Sequence, residues 1–315
     1  MTLTQLEYIV AVDNEKSFAK AAKSCRVTQP TLSMQVKKLE EDLGVLLFDR
    51  SKKPILTTDI GQRIVSQART IIRETSRIPE LIREEQEMVK GELRVGVIPT
   101  LGPYLLPMFL PHFMQAYPDV QLHIQELLSH EIMDRLKADQ LDVGLLVTPI
   151  RSDGFTEIPL FYETFVVYMS TSHPLTDKDR IDFEDLNIED MWLLQEGHCF
   201  RSQVVNICSE QQEQHTQRGL RFESGSLETL RRIVERQYGY TLLPELATLE
   251  LSEELYNKHV RTFRNPQPVR EVSIVLRRSF MKRRLVDLLQ KAILEAVPDI
   301  LKNSKRGRKV EWEGY

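Results

Sequence analysis

From Ser17 to Arg50 the chain reads SFAKAAKSCRVTQPTLSMQVKKLEEDLGVLLFDR. Ser17 to Cys25 reads as a short helix of small residues, and Arg26-Val27 as a tight turn. Thr28 then offers a capping hydroxyl, and Pro30 is tolerated in a first helical turn. Leu32, Val36, Leu39 and Leu43 recur at spacings of 4, 3 and 4, an apolar helical stripe, and Gly44 ends the helix as a C′ residue. Pro30, Thr31, Ser33, Met34, Lys37 and Lys38 fall on the opposite face. Small polar and basic groups near a helix N-terminus suit the major groove and its phosphates. The stretch therefore predicts a helix-turn-helix whose recognition helix is Thr28–Leu43. Phe48 to Leu56 follows as a short β wing, with Arg50, Lys52 and Lys53 placed to meet phosphates, which fix position rather than sequence. The plainer alternative is a three-helix module with a polar face. Cys25 reads as a buried small hydrophobe.

Beyond the wing, Thr58 is set to cap a long helix. Ile64, Ile71 and Ile78 fall seven apart, with Ala68, Thr75 and Ile82 in the alternate seam. That is a short coiled coil, its simplest partner a second copy of the chain, and Pro79 should kink or end it. A dimer would bring two recognition helices to two half-sites of double-stranded DNA. Residues 1–65 carry ten Lys/Arg and eight Asp/Glu, a net of +2, so the remainder is near −6 of the total −4. DNA binding needs only such a local basic face.

The 315 residues suffice for two or three domains. No apolar run approaches the roughly 20 residues of a membrane span. The start carries Glu7 and Asp13 and lacks a basic n-region, so no export signal is read and a cytoplasmic location is expected. Basic clusters at Arg277, Arg278, Lys282, Arg283 and Arg284, and from Lys302 to Lys309, read as solvated surface and a flexible tail.

Past Gly91 the pattern changes to βαβαβ: a strand over Leu93–Ile98, a helix over Tyr104–Ala116 interrupted by Pro107 and Pro111, a strand over Val120–Glu126, a helix through Ala138 and a strand over Asp142–Val147. A parallel sheet wrapped by helices follows. A second round offers strands at Thr164–Met169, Trp192–Leu194, Leu220–Glu223 and Tyr240–Leu243, and helices at Phe200–Glu213 and Leu227–Gln237. Val272–Leu276 and a helix around Lys282–Ala296 complete it. In such sheets ligands bind beyond the carboxyl ends of strands. The loops there hold Thr100, then Ser129 and His130, then His198 and Cys199.

Cys199 and Cys208 are two of only three cysteines, so a structural disulfide framework is not indicated. His198 and Arg201 give Cys199 cationic neighbours, and the start of the Phe200–Glu213 helix adds a positive dipole end; both favour the thiolate. Cys208, nine residues on, is a candidate resolving partner. The alternatives are two inert buried thiols, or a zinc site collecting His198, Cys199 and Cys208, for which no CxxC or HxxxH spacing speaks. Thr100 and Ser129 offer hydroxyls that suit a small polar molecule such as hydrogen peroxide, or else serve in caps and turns.

The Ser17–Arg50 stretch, the wing, the long helix and the α/β half together resemble the LysR-type transcriptional regulators over nearly the whole chain. The resemblance implies an α/β fold with an N-terminal all-α winged helix-turn-helix (1–58), a linker and dimerisation helix (59–90), a two-lobed effector domain like a periplasmic binding protein (91–300; lobe I about 91–162 and 268–300, lobe II about 163–267), and a basic tail (301–315). It implies DNA contacts at Gln29, Pro30, Thr31, Ser33 and Arg50, beside Lys37, Lys52 and Lys53 from the pattern itself. Met34 departs from the basic or small residue usual there. Gly197-His198-Cys199-Phe200-Arg201 followed by Cys208 is similar to the redox segment of the family's peroxide-sensing members. On that likeness Cys199 is the peroxidatic thiol and Cys208 the resolving one. Thr100, Ser129, His198 and Arg270 line the peroxide pocket, with His130 beside them, and Ser129 stands where Thr is usual. No cofactor or metal is implied. A tetramer, RNA polymerase and a thiol reductant such as glutaredoxin or thioredoxin are implied as partners, activation of oxidative-stress genes as the output, and no enzymatic activity.

On a helix, positions nine apart are separated by roughly 13–14 Å and about 900° of rotation, whereas a disulfide needs Cα atoms within about 7 Å. Oxidation is therefore expected to unwind the segment. Two rivals stay open at this point. One is a LysR-type regulator binding a small organic effector in the cleft, with Ser226 and Thr229 as contacts; a capping role for Ser226 is the plain reading. The other is a thiol peroxidase, which has no use for a helix-turn-helix.

Overall fold

The computed structural model describes residues 1–85, 89–150, 152–208, 224–278 and 283–310; the side chains of 76, 77 and 79–85 lie outside that description. The chain forms two compact units, Met1–Met88 and Val89–Tyr315. Among the described residues no helix is long and apolar enough to cross a membrane.

In the first unit, α1 (Leu3–Glu15) opens with a capping box between Thr2 and Gln5. Ser17 caps α2 (Phe18–Ser24). The turn after it uses Arg26 at φ 56°. Thr28 caps α3 (Gln29–Leu43), and Gly44 ends it at φ 67°, a left-handed conformation that suits glycine. Leu32, Val36 and Leu39 face the core with Ile9, Val12 and Phe18. The wing is β1 (Phe48–Asp49) paired antiparallel with β2 (Leu56–Thr57). Thr58 Oγ1 accepts the Gly61 N–H at 3.0 Å and opens α4 (Asp59–Glu85).

Two expectations for α4 are corrected. Of the two outcomes expected at Pro79, a kink or a stop, the stop does not occur: the helix runs on to Glu85. Nor is the isoleucine seam wholly free for a partner. Val65 and Ala68 are buried in this unit's own core, with Ile64 and Ile71 packed against it. Arg69 ties the same face to Asp13 of α1 at 2.8 Å. Ile78, farther along, is 64% exposed. Ile82 falls among the side chains not described.

The second unit begins with β3 (Gly91–Val97), α5 (Gly102–Ala116), β4 (Val120–Glu126), α6 (Ser129–Lys137) and β5 (Val143–Thr148). The strands are parallel in the order β4-β3-β5. Then β6 (Phe155–Met169) runs through both lobes. After it come β7 (Arg180–Ile181), α7 (Cys199–Cys208), α8 (Leu227–Val234), β8 (Tyr240–Pro244), α9 (Glu253–His259), β9 (Val260–Phe263), β10 (Pro268–Arg277), α10 (Arg283–Ala296) and β11 (Arg308–Lys309). Residues 155–164 of β6 pair with β10, and residues 165–169 with β8 and β9. One apolar core gathers around Phe109, Leu145 and Ile274, the other around Phe165, Tyr168 and Leu242. This is the two-lobed effector fold that the resemblance implied, with β6 and β10 as crossing strands.

Differences from the sequence reading have local causes. The strand expected at Thr164–Met169 is the second half of a longer one, β6, whose first half holds Pro159, a residue that disfavours central strands; Pro159 sits opposite Ser273, at a register shift between Val272 and Ser273. Trp192–Leu194 is not a strand. Met191 makes an isolated bridge to Tyr240, and Leu193 and Leu194 are buried as apolar cover. The expected Leu220–Glu223 strand and the end of the Phe200–Glu213 helix lie outside the described residues. As far as Val310 the tail is joined to the fold: Leu301 is buried, Arg306 meets both oxygens of Glu245 at 2.7 Å, and β11 pairs with β10. The basic residues there answer buried-edge carboxylates, a pairing that composition alone does not reveal.

Candidate functional site

Cys199 and Cys208 are the first and last residues of α7, and both are free and buried. Ten residues of helix hold them on opposite faces, about 13–14 Å apart along the axis. They belong to different cores: Cys199 packs into that of the first lobe, and Cys208, with Phe200 and Val204, into that of the second. The turn before α7 relies on Gly197 at φ 92°, and the His198 carbonyl accepts the Arg201 N–H at 3.0 Å to close the first helical turn.

The electrostatics of Cys199 correct the sequence reading. Burial is the dominant effect and pushes its thiol up; the Ser129 hydroxyl, the Arg270 charge and the backbone N–H groups of Phe200 and Cys199 itself pull it part of the way back. The adjacent cations do not supply the effect expected of them. Burial holds the His198 imidazole down, toward its neutral form. The Arg201 guanidinium donates instead to the Leu194 carbonyl at 2.8 Å. Cys208 has only burial acting on it and is pushed up to about 12, so it is a resting thiol.

The loops beyond β3 and β4 do converge. Thr100 and Ser129 are both 2% exposed, and Ser129 is the first residue of α6. Arg270 comes from β10 and is fully covered. It donates from Nη1 to Thr100 Oγ1 at 3.0 Å and from Nη2 to the Thr100 carbonyl at 3.1 Å. Its guanidinium lies 5.1 Å over the Phe200 ring. His198 is 5% exposed, and its Nε2 has no hydrogen-bond partner among the described residues. Gly225 lies alongside, where an added Cβ would stand 3.4 Å from that nitrogen. His130 is half-buried beside Ser129. The site thus offers a buried thiol, two hydroxyls, a fixed guanidinium and a neutral imidazole with an unmet hydrogen bond. Such a set suits a small neutral molecule that both donates and accepts.

Sequence reasoning missed Glu163. Its Oε1 accepts Arg270 Nε at 2.9 Å and its Oε2 the Leu246 N–H at 3.0 Å. Burial pushes its carboxyl up, and Arg270 opposes that. The available signal was a single charge in the strand run Phe161-Tyr162-Glu163-Thr164-Phe165. Among the described residues no group of three or more His, Cys, Asp or Glu is placed to hold a metal ion.

In the first unit, Gln29, Pro30, Thr31 and Lys37 are exposed along α3, Ser33 is half-buried, and Lys52 and Lys53 are exposed in the wing. Arg50 is engaged within the unit itself. It pairs with the buried Glu40 at 2.7 Å and lies 4.8 Å over Phe18, while its Nη1 reaches Ser33 Oγ at 3.4 Å. Glu40, also missed, accepts the Leu47 N–H at 2.8 Å and so ties the wing to α3.

Comparison with known proteins gives the following. Residues 3–62 match the bacterial regulatory helix-turn-helix protein, lysR family, and residues 86–298 match the LysR substrate binding domain. A "Hydrogen peroxide-inducible genes activator" of Haemophilus influenzae is 34% identical over 308 residues, 97% of this chain and 100% of that protein. The "DNA-binding transcriptional dual regulator OxyR" of Escherichia coli K12 is 38% identical over 250 residues, covering 78% and 80%. Among solved structures, full-length OxyR C199D from Pseudomonas aeruginosa matches with a TM-score of 0.79 at 39% identity, covering 94% of this chain and 99% of that one.

Proposed function

The chain belongs to the LysR family of bacterial helix-turn-helix regulators, and we propose that within it this protein is an OxyR-like activator that senses hydrogen peroxide through a reversible Cys199–Cys208 disulfide. The carrying observation is the single helix α7, with one thiol at each end in a different core and the polar groups gathered at the Cys199 end.

Hydrogen peroxide enters beside Thr100, Ser129, His198 and Arg270. The Cys199 sulfur attacks one oxygen; the S–O bond forms, the O–O bond breaks, and the departing hydroxide takes up the thiol proton and leaves as water. Two electrons pass from sulfur to peroxide, giving a sulfenic acid. Cys208 then attacks that sulfur; the S–S bond forms, and the hydroxyl leaves as water with the Cys208 proton. The second step needs Cα atoms within about 7 Å, so the helix must come undone. The disulfide then holds the chain in the rearranged form. A thiol reductant of the glutaredoxin or thioredoxin class reverses it.

The N-terminal unit binds double-stranded DNA through α3 and the wing, with Lys52, Lys53 and Lys37 on phosphates. Self-association through the far part of α4 pairs the recognition helices, and effector-domain contacts build a tetramer whose spacing on DNA changes with oxidation. The protein works in the cytoplasm with RNA polymerase, and turns over once per signal rather than as an enzyme. The organic-effector alternative gains no support, since Ser226 is exposed and spends its hydroxyl capping α8, accepting the Thr229 N–H at 3.3 Å. The test is peptide-resolved mass spectrometry after stoichiometric peroxide, run beside DNA footprinting. A Cys199–Cys208 crosslink and a changed footprint are expected together; a changed footprint in Cys199→Ser protein would refute the thiol mechanism.

A further inference from the structure

Glu163 is fully buried where β6 passes from one lobe to the other. Its two oxygens have different partners. Oε1 accepts Arg270 Nε at 2.9 Å and lies 2.7 Å from Arg270 Nη2; Oε2 accepts the Leu246 N–H at 3.0 Å. The carboxylate is therefore pinned by backbone on one side and fixes the guanidinium on the other. Held this way, the guanidinium reaches Thr100 and lies over Phe200, the residue next to Cys199. Its positive charge acts on the Cys199 sulfur, and the Glu163 charge, in direct contact with it, acts against that. Glu163 thus has two effects of opposite sign on one thiol. It holds the guanidinium against Thr100, and by Coulomb's law its negative charge opposes the field of Arg270 at the sulfur.

We propose that Glu163 is a positioning and selectivity residue of the sensor, aiming Arg270 at peroxide while restraining the general reactivity of Cys199. The inference rests on the peroxide-sensing reading above. In the peroxide reaction the breaking O–O bond leaves negative charge on the departing oxygen, and a donor already in place stabilises it. Iodoacetamide makes no such demand: its S–C bond forms as iodide leaves, and the rate follows the amount of thiolate. The two reagents therefore read aim and charge separately.

The experiment uses the full-length protein, with quenched time courses resolved by peptide mass spectrometry so that Cys25, Cys199 and Cys208 are followed individually. Glu163→Gln is expected to slow peroxide oxidation of Cys199 by about 10-fold or more, the order of a misplaced transition-state donor. It should also raise Cys199 alkylation several-fold and move its pH midpoint downward. Glu163→Asp restores the charge without the reach, so alkylation returns to the wild-type rate while peroxide oxidation stays slow. Cys208 reports folding: in a folded variant its alkylation stays far slower than that of Cys199. Glu163→Gln made in an Arg270→Met background removes both buried charges, an exchange that folds tolerate better than loss of one partner; with no guanidinium left to aim, it should not slow peroxide oxidation further.

Three results overturn the proposal: a wild-type peroxide rate in Glu163→Gln, a parallel fall of both rates while Cys208 stays protected, or a further loss in the Arg270→Met background. If Cys208 shows that Glu163→Gln has unfolded, the Arg270→Met comparison decides alone. A wild-type Cys199 no faster with peroxide than Cys25 would instead overturn the sensor reading and this inference with it.

Discussion

At the scale of single residues, opposing effects act on the Cys199 thiol. Burial pushes Cys199 up, while the Ser129 hydroxyl and the Arg270 charge favour its thiolate. Because thiolate is the attacking form, oxidation by peroxide should speed up as pH rises through the neutral range. Ser129→Ala removes a hydrogen bond to the charged form, so its rate profile should shift to higher pH. A shift of one unit, about 1.4 kcal/mol, means roughly a 10-fold slower reaction at pH 7; quenched alkylation time courses measure it. Cys208 makes a stability prediction. In the fold it titrates at about 12, against an ordinary 9.0. Below the ordinary value both states hold the proton and the contribution is fully present. As pH rises from there toward 12, only the unfolded chain gives up the proton, so stability falls. Urea denaturation at pH 8 and pH 10.5 should show a smaller loss in Cys208→Ala than in wild type. Cys208→Ser should in turn leave the Cys199 sulfenic acid unresolved, trapped by dimedone.

At the scale of elements, the helices of the first unit were legible because cap, stripe and terminator agree: Thr28, then Leu32, Val36 and Leu39, then Gly44. The sensor helix was legible for the same reason, with a glycine turn before it and an apolar stripe within. What stayed hidden depends on partners distant in sequence. The first half of β6 carries Pro159, and its place in the sheet shows only with Ser273 of β10 opposite it. Glu163 went unread because its counter-charge, Arg270, lies 107 residues away. Arg201 looked like a neighbour of Cys199 until the Leu194 carbonyl claimed it. The basic tail looked unstructured until Glu245 met Arg306. That last pair is largely covered and doubly bonded, so Arg306→Ala should lower unfolding stability by about 1–3 kcal/mol, read from denaturant midpoints.

At the scale of the whole molecule, a DNA-reading unit and a two-lobed sensor share one chain, and the sensor's two cores each hold one end of α7. The wing makes the first unit's contribution testable on its own terms. Phosphate contacts weaken binding for all sequences alike when lost, and each contributes about 0.9 to the slope of log affinity against log salt. Lys52→Ala with Lys53→Ala should therefore flatten that slope by up to about 2 and leave sequence preference unchanged, measured by fluorescence anisotropy on two operators across a salt series. In the sensor, bonding the two sulfurs requires that α7 lose its helical order. Amide hydrogen exchange over residues 199–208 tests this most directly, in reduced protein and after one equivalent of peroxide. Loss of protection in step with formation of the Cys199–Cys208 crosslink is the predicted result; a crosslinked protein that keeps full protection through this segment would contradict it.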